Sequence, residues 1–219
     1  MINDIKLGFK LMKHGLSLKS SIFSSVLFLI GGLMFEVSGE PIGIVGSIYA
    51  VMGSIMVYQL VQSLTCAGLV QSSPLKKRLQ TSISAICTFV CTMILNTIII
   101  GVKLLIGHLK DIPMNEVAAS ILVSSFFLII IMVYMGTAMK AFLLSTIIFI
   151  MSCGIVGYFI GMGLGLDWFA SWNISIGVSI TVSYLAVALG SFLMYLISLV
   201  FYKKDYSKIT FESSLKRAK

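Results

Sequence analysis

Apolar and polar residues fall along this chain in long blocks. Six apolar runs cover residues 20–37, 41–63, 81–107, 117–139, 141–163 and 176–202, and none contains an internal proline. A bilayer hydrocarbon core about 30 Å thick takes roughly 20 apolar residues of helix to cross. Backbone at that depth must satisfy its own amide groups, which a helix does within a single segment. The pattern therefore predicts an all-α membrane protein with six transmembrane helices. The first run does not read as a secretory signal, because its basic leader is long, no small-residue cleavage site follows it and five further runs come after.

The charges sharpen the layout. Lys6, Lys10, Lys13 and Lys19 precede the first run, and Lys76, Lys77 and Arg78 separate the second from the third. Lys140 separates the fourth from the fifth. Lys203, Lys204, Lys208, Lys216, Arg217 and Lys219 follow the sixth. With six crossings, all but Lys103 and Lys110 of the 16 basic residues lie on one side, whereas Glu36, Glu40, Asp111, Glu116 and Asp167 lie on the other. Cytoplasmic loops are the ones enriched in Lys and Arg, so both termini are expected in the cytoplasm. Trp168 and Trp172 fall in the last outer loop, where amphipathic rings favour the membrane interface.

Residues 1–19 differ from the rest. Ile5, Phe9, Met12 and Leu16 recur with Ile2 at helical spacing beside a stripe formed by Lys6, Lys10 and Lys13. Such a helix lies in the membrane interface with its lysines toward anionic headgroups. The expected organisation is an interfacial helix over 1–19, a six-helix domain over 20–202 and a basic cytoplasmic tail over 203–219.

Composition agrees: the chain has 219 residues, 58% hydrophobic and 11% charged, with a mean hydropathy of +1.04. Soluble domains carry about 25% charged residues. The net charge of +8 sits at the ends of apolar runs and forms no single face, which argues against nucleic acid as a partner. The cysteines Cys66, Cys87, Cys91 and Cys153 lack the paired loop spacing of a zinc site and read as small apolar side chains.

Catalytic signatures are missing from the sequence. His14 and His108 fall on opposite sides, and there is neither a phosphate-cradling G-x-x-x-x-G-K-[ST] nor an H-E-x-x-H. The chain is not expected to be an enzyme or to hold a cofactor itself. Small residues form stripes instead: Gly43, Gly46, Ala50 and Gly53 in the second run, Gly157 and Gly161 in the fifth, and Ser179, Ser183, Ala186 and Gly190 in the sixth. These suit close helix packing, within the chain or between subunits. Four polar residues fall inside runs. Gln59 and Gln62 lie near the inner end of the second and Asn96 deep in the third, as an interhelical hydrogen bond or part of a substrate path. Lys103, near the outer end of that same run, is expected to reach outward to the interface.

The loop Gln71-Ser72-Ser73-Pro74-Leu75-Lys76-Lys77-Arg78 combines a proline-initiated helical turn with three basic residues, the make-up of a docking element on the cytoplasmic side. Together with the leader Asp4-Ile5-Lys6-Leu7-Gly8-Phe9-Lys10, the six-span layout and the continuation Leu79-Gln80-Thr81-Ser82, it resembles the small ABC-2 (type V exporter-like) permeases of Gram-positive bacteria. The resemblance implies a permease subunit that dimerises with itself or with a similar permease. ATP and Mg would be held by separate ABC ATPase subunits docked on the 71–78 loop. It also implies export of a peptide, drug or lipid-like substrate, with bacteriocin export or immunity as the setting, and short outer half-helices between the last two spans. Two other readings compete: a substrate-binding membrane subunit of an energy-coupling-factor importer, and a non-transport immunity or assembly protein.

Overall fold

The computed structural model describes residues 10, 18–38, 44–64, 75–138, 140–161, 174–204 and 207. The expected interfacial positions Ile5, Phe9, Met12 and Leu16 lie outside these residues, as do Gln71, Ser72, Ser73 and Pro74 of the docking loop and the connection expected to form outer half-helices, over 162–173.

Every regular element among the described residues is helical. Helix α1 is Leu18–Ser38, α2 is Val45–Leu64, α4 is Met114–Ala138, α5 is Phe142–Gly161 and α6 is Ile176–Phe201. Helix α3 is composite. It begins as a single α turn, Leu75–Arg78, passes through a π-helical segment, Leu79–Ile83, and runs on as α-helix over Ser84–Leu109. Five of these helices (all but α5) are long and apolar enough to cross a membrane, and α5 carries a shorter apolar stretch, Phe142–Ile155. The chain is therefore an α-helical, multi-pass membrane protein.

Helix α4 forms the centre. Ile131, Met132 and Met135 on it are fully buried with Ala50, Val51 and Tyr58 of α2 and Val187 and Met194 of α6. Its closest partner is α6, where a Cβ on Gly190 would sit 3.1 Å from that of Met132. Helices α1 and α2 form a second tight pair. A Cβ on Gly32 would lie 2.6 Å from the backbone of both Gly46 and Ala50, so only glycine lets the two backbones meet. Helix α5 sits outside this core and packs mainly on α4. Of its two expected packing glycines, Gly157 faces open space.

The α3–α4 turn shows how the ends are finished. Ile112 N donates to Gly107 O at 2.9 Å with Asp111 left-handed at φ 51°, the 6→1 bond of a Schellman cap. Pro113 then leads into α4, so the turn fixes α3 and α4 antiparallel.

Candidate functional site

The polar residues expected to be few inside the membrane region instead form a row. Gln80, Ser84, Thr88, Thr92 and Asn96 recur every four residues along α3, and Lys103 follows; all six are buried. Rows at i±4 wind slowly round a helix, so this one meets a different neighbour at each level.

At the first level, the π segment of α3 faces α2. A π turn leaves its carbonyls poorly matched to the α ladder. Here Gln62 Nε2 donates to Gln80 O at 3.1 Å and to Tyr58 Oη at 3.2 Å, while Ser84 Oγ donates to Gln80 O at 3.2 Å. Gln62 thereby pins the π segment to α2. Half-way along, Asn96 and Ser183 of α6 exchange hydrogen bonds at 3.0 and 3.1 Å. That is an interhelical bond of the kind expected for Asn96. A cavity of about 10 Å³ beside it is lined by Asn96, Ser47 and Ser124, the size of a single water.

At the far end lies an ion pair. Lys103 Nζ stands 3.1 Å from Glu36 Oε2 of α1, with both side chains at 0% exposure. Lys103 also donates to Ser120 Oγ of α4 at 2.6 Å, and Ser47 Oγ of α2 donates to Glu36 Oε1. Four helices thus meet at one buried pair of opposite charges. The glycine contact between α1 and α2 makes room for it, because a Cβ on Gly46 would collide with Glu36 itself.

Lys103 therefore departs from expectation: it turns inward and does not reach the interface. Six further residues of α3 lie beyond it, about 9 Å of helix, whereas the Glu36 carboxylate is within direct contact. An isolated buried charge is costly, and pairing with hydrogen bonds to both partners offsets that cost. Glu36 departs in the same way, as an interior partner rather than a loop charge. Lys110 does behave as a surface group and donates to Val37 O at 3.0 Å.

Parts of the row lack partners among the described residues: the Gln80 amide and Thr88 Oγ1 are buried there with no hydrogen bond, as is Ser179 Oγ of α6. By contrast Thr92 Oγ1 bonds back to Thr88 O at 2.8 Å, the usual retreat of a hydroxyl in a membrane helix.

At the opposite end from the ion pair the basic turn is exposed. Lys77 and Arg78 are open to solvent, Lys76 is half-buried, and Lys77 Nζ lies 5.9 Å over the Tyr202 ring at the end of α6. The helical turn begins at Leu75, directly after Pro74. Among the described residues no three potential metal ligands come together, and Cys87, Cys91 and Cys153 are free thiols.

The row was present in the sequence as a four-residue repeat of Gln, Ser, Thr, Thr and Asn. Serine and threonine barely lower the hydropathy of a run, and Gln80 falls one residue before the third run, which is why Asn96 and Lys103 stood out and the others did not. No protein-family model, curated protein or solved structure matches the chain.

Proposed function

We propose that this chain is the transmembrane permease subunit of an ATP-driven exporter. It has six spans with the basic end in the cytoplasm, it pairs with a second permease of the same or similar kind, and it is driven by separate ABC ATPase subunits docked on the 71–78 loop, which includes the Leu75–Arg78 turn. The cargo is a peptide, drug or lipid-like molecule. The observation that carries the reading is the buried polar row of α3, which is continuous with the exposed basic turn at one end and bears Lys103 near the other. Polar groups in a membrane interior are expensive and typically mark a path for substrate or ions. The side chains of Gln80 and Thr88 are buried with no hydrogen-bond partner among the described residues, which suits groups that meet water or cargo in a second arrangement of the helices. A turn moved by a docked ATPase would act on that row through a single helix.

Two experiments test this. In membranes of the source cell, affinity purification of the chain should recover an ATP-binding subunit. Replacing Lys76, Lys77 and Arg78 by Gln should cut that recovery and cargo export together, with the chain still folded. Gln80→Leu and Thr88→Val should then preserve thermal stability while reducing export. If these two leave export intact, the row is packing alone. If no ATPase is recovered, the transporter reading fails as well.

A further inference from the structure

We propose that the cleft between α4 and α5 binds one anionic phospholipid, its acyl chain along the cleft and its headgroup on Lys140, Lys203 and Lys204. The cleft has a volume of about 330 Å³ and is bounded by Tyr134, Thr137, Leu144, Ile148 and Phe201, among others. This volume falls within the roughly 300–1,000 Å³ of small-ligand sites. It runs along α5 from Ala141 to Ser152, about 16 Å of helix at ~1.5 Å per residue. That matches one leaflet of a hydrocarbon core ~30 Å thick. Leu144 and Ile148 are more than half exposed, so the cleft opens sideways into lipid.

Charge at the mouth selects the headgroup. Lys140 lies next to Ala141 of the wall and its Nζ donates to Lys204 O at 2.7 Å. Lys204 Nζ is 4.9 Å over the ring of Phe201, another wall residue, and Lys203 is exposed beside it. The carboxylates among the described residues are Glu36, Asp111 and Glu116, all at the other end of the bundle. One carboxylate, Asp205, follows Lys204 in sequence, so Lys140, Lys203 and Lys204 together still carry net positive charge. Basic residues at the interface attract anionic lipid, and an apolar slot directly beneath turns a diffuse attraction into a site. This inference does not depend on the exporter reading.

The test uses the full chain in phosphatidylcholine vesicles carrying a trace of phosphatidylglycerol with a photoreactive acyl chain. Label should concentrate on the α4 and α5 peptides lining the cleft. Unlabelled phosphatidylglycerol should compete it away, and added phosphatidylcholine should not. The triple variant Lys140→Gln, Lys203→Gln, Lys204→Gln should lose labelling by at least about tenfold, while Lys110→Gln at the other end leaves it unchanged. Ile148→Trp fills the slot from its exposed side and should move the label out of the cleft. Equal labelling by a photoreactive phosphatidylcholine, label spread over the lipid faces of α1 and α6, or a triple variant that labels like the parent would each overturn the proposal.

Discussion

The two ends of this bundle solve opposite problems. At the Glu36–Lys103 end, four helices converge, backbones touch at Gly32 and Gly46, and both charges are enclosed and paired. At the Lys140–Lys204 end, α5 stands off from α6, an open cleft remains, and Lys203 and Lys204 face outward while Lys140 is half-buried against Lys204 O. Lipid is as apolar as a leucine side chain, so greasy surface alone gives helices no reason to close. What closes the first end is glycine contact and polar chemistry; α5, whose Gly154 and Gly157 face open space, stays apart.

The contrast can be broken most directly at the ion pair. Lys103→Met leaves a buried, unpaired carboxylate and should cost about 3–5 kcal/mol, read as loss of folded protein in a denaturant titration in detergent. Adding Glu36→Gln should restore most of that loss. A single variant as stable as the parent would mean the pair is not enclosed. Gly46→Val tests the backbone contact: overpacking there should cost about 1–3 kcal/mol and also weaken the Ser47 bond to Glu36, measured by the same titration. Asn96→Val removes both hydrogen bonds exchanged with Ser183 and should cost about 1 kcal/mol, at ~0.6 kcal/mol for each such bond in a membrane bundle. At the loose end Gly157→Leu points into open space and should shift stability by no more than about 0.5 kcal/mol. A larger loss would show that this face of α5 is covered in the membrane.

The helices themselves were legible in the sequence. The run at 176–202 became α6 over Ile176–Phe201, and the run at 117–139 became α4 over Met114–Ala138, because an uninterrupted apolar stretch has few other ways to satisfy its backbone in lipid. Less legible was the direction in which polar side chains turn. Glu36 lies two residues from the end of α1, where a carboxylate reaches water or protein equally well. The neighbour decides, and that neighbour is 67 residues away along the chain. The π segment at Leu79–Ile83 left no trace in the pattern, since one extra residue barely changes the length or hydropathy of a long run. Its anchor, Gln62, stood out as an intramembrane amide, but nothing in the run named Gln80 as its partner.

The distance in sequence between Glu36 and Lys103 constrains how the protein is made. Translation delivers α1 well before α3, so the nascent chain enters the bilayer holding a carboxylate whose counter-charge has not yet been synthesised. Until the lysine is made, Glu36 near the end of α1 has only water at the membrane interface and Ser47 of α2 to satisfy it. The enclosed pair, and with it the final junction of the first four helices, can form only after α3 and α4 have been delivered.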